Sequence, residues 1–268
     1  MVSKKFGMVC GTVAALLAGT AVAHAEDSIS GAAGVSYNSH FVSYGADVWG
    51  GGSEFFGDRS TTFTWVDMNI GVGDANINFG AWGDINDNAG DTLGGNIQEI
   101  DIYGGASYSF SGVTAGFTYQ EWYYAGDTEK ILDFAFSYDD TGLIAPDFAL
   151  NPKLVWHIRL EGNGAQRKGS AIVLSVAPSF PITEMVSLKI PAGIAFFADA
   201  DFQGGTEGGY GYSYLGGSLG MPLYFIPETY GAWSANFDLT GYFTNDDAIP
   251  GNRKDSFLVG SLGISVGF

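Results

Sequence analysis

Beyond residue 26 the chain alternates apolar residues with small or polar ones at a period of two, in runs bounded by Gly, Asp and Asn. The clearest run is 148–161, where Leu150, Leu154, Trp156, Ile158 and Leu160 interleave with Asn151, Lys153, His157, Arg159 and Glu161. Successive side chains of a strand point to opposite faces, so each run carries one apolar and one polar face. The pattern predicts twelve strands, at 30–42, 61–72, 76–85, 97–110, 113–124, 131–138, 148–161, 170–180, 186–199, 210–223, 232–244 and 255–268. The first is expected to place Ala33, Val35, Tyr37 and Phe41 on its apolar face. Glu121 falls on the apolar side of its strand and calls for a bulge or a position above the bilayer.

The N-terminal segment changes the meaning of those apolar faces. Lys4 and Lys5 precede an apolar run, and Ala23-His24-Ala25 stands before Glu26. This is a secretory signal, with cleavage expected after Ala25. No later stretch approaches the roughly 20 apolar residues of a spanning helix. Exported, strand-rich and amphipathic throughout, residues 26–268 read as one all-β domain, a transmembrane antiparallel up-and-down β-barrel of about 12 strands. Short turns at 73–75 and 111–112 are expected on the periplasmic side and the longer loops outside. Phe110, Tyr138, Phe148, Phe180, Phe225, Trp233 and Phe268 would then form a periplasmic aromatic girdle.

The last run, DSFLVGSLGISVGF, resembles the Phe-terminated final strand of bacterial outer-membrane proteins. The resemblance implies a Gram-negative outer membrane, with outer-membrane lipid and lipopolysaccharide as surroundings. It also implies that Phe268 is a signal for the barrel assembly machinery. Residues 99–105 (EIDIYGG) and 123–126 (YYAG) are similar to an uncharacterised proteobacterial family of predicted outer-membrane barrels, which implies no substrate.

Charge excludes some functions. Removing Lys4 and Lys5 from the 11 basic residues leaves 9 against 29 acidic ones, a net charge near −20. That is the wrong sign for nucleic-acid binding. The one Cys, Cys10, lies in the leader, so no disulfide or thiolate chemistry is expected of residues 26–268. His40 and His157 are the only histidines beyond the leader, and Ser39 points away from His40. No outer-membrane phospholipase or protease motif is present, so the sequence does not read as an enzyme. The runs 84–87 (DIND) and 199–201 (DAD) offer oxygen ligands but lack an EF-hand pattern, and no metal or cofactor is expected.

The inward positions carry the candidate chemistry. Asp67, Asp84, Glu99, Asp101 and Asp133 form an acidic wall, and Lys153, His157, Arg159 and Lys189 a basic wall beside it. Opposed walls set a transverse field across a pore for small polar solutes, with a preference for cations. The same charges could instead pair and plug the lumen, Asp133 with Lys153 across one hairpin. Trp65, Trp82, Tyr103, Trp122, Tyr210, Tyr212, Tyr214 and Tyr242 could stack on sugar or nucleoside rings, or fill space. A passive channel is the leading expectation, a non-conducting structural or surface-binding barrel with acidic external loops is the alternative, and an outer-membrane enzyme is the second alternative.

Overall fold

The computed structural model describes residues 25–145, 148–162 and 168–268; the leader residues 1–24 and Arg167 lie outside them. The described chain is a closed antiparallel barrel of twelve strands. They are β1 (Ala25–Asn38), β2 (Thr61–Gly73), β3 (Ala75–Ile85), β4 (Ile97–Phe110), β5 (Val113–Tyr124) and β6 (Asp127–Tyr138). The second half is β7 (Lys153–Glu161), β8 (Gly169–Val176 and Ser179–Pro181), β9 (Ser187–Lys189 and Ala192–Phe197), β10 (Gly209–Pro222), β11 (Ala232–Thr244) and β12 (Ser256–Gly267). Each strand pairs with its sequence neighbours, and β1 also pairs with β12 from Ala32↔Gly267 to Asn38↔Ser261. Closure leaves no unpaired edge.

The interruptions of β8 and β9 have one cause. Pro178 and Pro191 cannot donate to a ladder, and they lie beside each other in the sheet. The register is the same on both sides of the break, Val176↔Ala192 and Ser179↔Lys189. Ser111 and Gly112, with φ of 50° and 83°, form a tight hairpin turn between β4 and β5. Gly34 is a close-approach glycine: a Cβ there would stand 2.1 Å from Cζ2 of Trp65.

Outside, the barrel is apolar. Val66, Ile77, Phe79, Ile102, Phe117, Phe136, Trp156, Ile172, Leu174, Leu215, Leu262 and Ile264 all project outward and stay exposed. An apolar surface of this extent needs a lipid environment. Phe110, Tyr138, Phe180, Phe225 and Phe268 are exposed at the turn end, and Phe148 packs on Phe180 at 5.9 Å. Phe268 exchanges backbone hydrogen bonds with Gly31 across the β1–β12 seam, at 2.8 and 2.9 Å.

Two expectations are corrected, and of the two alternatives at Glu121 the bulge is removed. Phe41 does not continue the outward face of β1. The strand ends at Asn38, and Phe41 turns inward onto Phe63 and Trp82 at 5.3 and 5.4 Å. β6 begins four residues before 131, so β5 and β6 are joined by only Ala125 and Gly126 rather than a long loop. No bulge occurs at Glu121. It keeps its outward register opposite Lys130, accepts the Tyr119 hydroxyl at 2.7 Å and that of Tyr123, and lies beside the Lys130–Glu161 pair.

Candidate functional site: a plugged lumen

The site is the barrel interior. Its upper half is filled by residues from three of the loops. Residues 40–52 enter the lumen after β1, and Val42–Ser43 and Ala46–Asp47 form a small bridge pair there. Phe41, Val42 and Tyr44 are buried, as are Phe202 from loop 198–208 and Ala248 and Ile249 from loop 245–255. Apolar residues supply the seat and polar contacts set the register. The Asp47 N–H donates to Asn252 Oδ1 at 2.8 Å, and Asn252 Nδ2 donates to the Gly45 carbonyl at 2.9 Å. Gln203 Nε2 donates to the Ser43 carbonyl at 2.9 Å.

The inserted loop meets the predicted walls. Tyr44 lies over His157, with ring centroids 3.8 Å apart, and its hydroxyl contacts His157 Nδ1. Asp133 Oδ1 stands 2.7 Å from the same nitrogen. Gln120 donates to Asp133 at 2.8 Å, and Trp122 donates to Gln120 at 3.1 Å. Above them Arg159 Nε donates to Glu129 at 2.9 Å, Nη1 donates to the Phe202 carbonyl, and the guanidinium lies 4.2 Å from the Phe202 ring centre. Trp49 Nε1 donates to Asp84 at 2.9 Å, and Thr61 and Asn86 donate to the same carboxylate.

The predicted residues are therefore brought together, though not as facing walls across open water. Asp84, Glu99, Asp101 and Asp133 on the acidic side and His157 and Arg159 on the basic side are buried. Asp67 is lower and half-buried, and takes the Tyr103 hydroxyl. Lys153 and Lys189 also sit lower, half-buried toward the turn end. The cross-hairpin partner of Asp133 is His157 rather than Lys153, whose own partner is Ser137. Asp140 accepts the Leu150 and Asn151 N–H groups and so centres the 139–152 connection two residues beyond the centre that an Asp133–Lys153 pairing needs.

Among the aromatics, Trp82, Trp122, Tyr212 and Tyr242 are buried inside, and Trp65 and Tyr214 are half-buried there. Tyr210 is not in the lumen. The β9–β10 register shifts at Gly211, where the Phe197 ring occupies the inward space. Tyr210 consequently pairs with outward Phe196 and bonds the Phe243 carbonyl at 2.9 Å.

One inward residue from each strand measures the closure. Asn38, Phe63, Trp82, Asp101, Gln120, Ile131, His157, Ala171, Phe197, Tyr212, Tyr242 and Ser261 are each no more than 5% exposed. A conducting pore needs an accessible wall, and these twelve side chains are covered. The turn-end half differs: Asn69, Asn78, Ser107, Thr114, Ser137, Ser175, Asn236 and Ser265 line it and keep partial exposure.

His40 is the second histidine held by the loop. Its Nδ1 stands 3.2 Å from Asp47 Oδ1, and Nε2 contacts the Glu54 carbonyl at 2.7 Å. Burial pulls its pKa down, but the Asp47 carboxylate and the Glu54 carbonyl outweigh it and hold the imidazole above its ordinary 6.5. Ser39 Oγ instead accepts the Gly260 N–H at 2.8 Å. Among the described residues no three His, Cys, Asp or Glu are arranged to hold a metal ion.

Glu129 and the loop residues Phe41, Val42, Tyr44, Trp49, Phe202 and Ile249 also belong to the site, and strand alternation does not mark them. A usable signal existed: loops that only meet solvent have no need of the apolar residues in 41–49 (FVSYGADVW) or of Ala248-Ile249.

No protein-family model and no curated protein matches the chain, so the resemblance at 99–105 and 123–126 names no family. Solved structures similar to it include the translocator domain of the autotransporter NalP from Neisseria meningitidis. That match has 11% identity, covers 91% of this chain and 89% of that one, and has a TM-score of 0.44. LpxR from Salmonella typhimurium is 8% identical over 88% of this chain and 99% of its own, TM-score 0.44. The outer membrane channel DcaP of Acinetobacter baumannii is 9% identical over 91% and 97%, TM-score 0.39. Scores this low carry nothing about substrate or activity. The strand pairing, the closure and the apolar exterior make the chain a twelve-stranded barrel of the outer-membrane type.

Proposed function

We propose that the protein is a porin-like outer-membrane barrel, closed at rest by loop 39–60, that passes small polar solutes when this loop leaves the lumen. The buried ring of inward side chains from all twelve strands supports the closed state. The chemistry behind the plug supports the open one. Burying carboxylates and a guanidinium costs stability relative to apolar packing of the same volume. With the loop withdrawn, Asp67, Asp84, Glu99, Asp101, Glu129, Asp133 and Asp238 outnumber Lys153, Arg159 and Lys189 along the wall. Fixed negative charge in a narrow passage enriches cations.

A permanently closed barrel is the second reading, favoured because loops 198–208 and 245–255 also supply the plug. The test replaces residues 42–52 with a Gly-Ser linker, alone and together with Phe202→Ser and Ile249→Ser. Reversal potentials are then read across a salt gradient. Conductance with cation preference is expected. Anion preference would remove the carboxylate-wall account, and silence of a folded, emptied barrel would establish the second reading.

A further inference from the structure

Loop 39–60 does not stay inside the barrel. After its inserted hairpin it returns over the rim at the β12–β1 seam, and Phe55 and Phe56 come down on the outer face. Two independent contacts place them there. Gly260 stands between Leu258 and Leu262, outward residues of β12 that are 54% and 53% exposed. A Cβ at Gly260 would lie 2.6 Å from Phe55 Cζ and 2.8 Å from Phe56 Cε2. Phe56 also stacks on Tyr37, an outward residue of β1, with ring centroids 5.5 Å apart and planes 18° from parallel. Gly260 is thus a notch in the apolar exterior, filled by two rings from the plugging loop. Phe56 holds a φ of +55°, a conformation that bulky L residues rarely adopt without support.

We propose that Phe55 and Phe56 form a lipid-binding knuckle. Acyl chains of the outer leaflet pack on their free faces, and this fastens the plugging loop to the membrane. Phe55 leaves 48% of its surface open in a patch continuous with Tyr37, Leu258 and Leu262. That band is the part of the barrel that lipid already covers. Glu54 and Asp58 flank the pair in sequence, so the apolar contact ends in charge, as aromatic residues at a membrane–water boundary do. The inference holds whether or not the barrel ever opens.

The test uses a spin label at Phe55→Cys in a Cys10→Ser chain refolded into dimyristoylphosphatidylcholine vesicles. Collision with oxygen is compared with collision with a water-soluble nickel chelate. The Phe55 label should favour oxygen, as a label at Leu262→Cys does, while one at Asp58→Cys should favour nickel. Gly260→Val should lift the rings from the notch and raise nickel access at position 55. Gly260→Ala and Tyr37→Ser carry this arm if the valine variant does not insert. Nickel access at Phe55 equal to that at Asp58 would overturn the proposal. So would label–label broadening, which would put a second copy of the chain on the patch, or oxygen preference unchanged by every notch variant in a folded barrel.

Discussion

Truncating Tyr44 should unseat the plug. Its ring is 4% exposed, lies on His157, and has Trp122 and Phe202 within 6.4 and 5.9 Å. Removing a buried aromatic ring costs about 3–5 kcal/mol. In the open state Tyr44 meets water, so nearly all of that loss falls on the closed state. At tenfold per 1.4 kcal/mol, Tyr44→Ala should raise the open-to-closed ratio roughly 150- to 4,000-fold. Tyr44→Phe keeps the ring and loses only the hydroxyl contact to His157, about 0.5–1.5 kcal/mol or roughly two- to tenfold. The assay is uptake of a small neutral sugar by proteoliposomes, with barrel folding checked by heat-dependent gel mobility. The expected order is wild type, then Tyr44→Phe, then Tyr44→Ala, with the large gap at the second step. A folded Tyr44→Ala barrel as tight as wild type would refute the plug energetics.

Other perturbations separate the lipid face, the buried pairs and the loop. Leu174→Arg, on the outward face, should impair refolding by about 2–4 kcal/mol if it lies near the bilayer midplane. Asn78→Arg, inward in the half-exposed turn-end lumen, should refold close to wild type in urea titrations, and equal loss in both would mean the register is wrong. Arg159→Met should cost about 3–5 kcal/mol by leaving Glu129 buried without its partner, and adding Glu129→Leu should restore much of it; no recovery in the double variant would contradict the pairing. His40 gains its proton more readily in the seated loop than outside it, so its contribution to closure is complete below pH 6.5 and fades as pH rises through the higher seated value. Sugar uptake should therefore be lowest in acid and climb above neutrality, and His40→Gln should flatten that profile; a profile insensitive to His40→Gln would exclude this histidine.

The barrel was legible because lipid and lumen impose a strict alternation, and the twelve runs emerge from Leu154-to-Leu160 patterns alone. Register was less so. Asp133 would face Lys153 only in a hairpin centred on Leu143, whereas the Asp140 contacts to the Leu150 and Asn151 N–H groups set the centre two residues further on. A one-residue bulge at Gly211 sent Tyr210 outside, an event that alternation cannot signal. Glu129 was hidden because residues 127–130 (DTEK) look like a polar loop, whereas they continue β6. The plug was hidden for a deeper reason. Residues 39–60 have no period, and their position depends on contacts with Asn252 and Gln203, both more than 150 residues away. Only their apolar content marked them as something other than solvated loop.

The same loop now joins three surfaces: the wall dyad of Asp133 and His157 through Tyr44, the neighbouring loops through Asp47 and Ser43, and the outer face through Phe55 and Phe56. Movement of any one of these seats bears on the others. In the function proposed above, their shared consequence is that closure is a property of the folded chain.

Single-channel recording of the unmodified protein in a planar bilayer tests that claim most directly. A closed baseline broken by rare, brief openings is expected. A steady open current at low voltage from the wild-type barrel would contradict it.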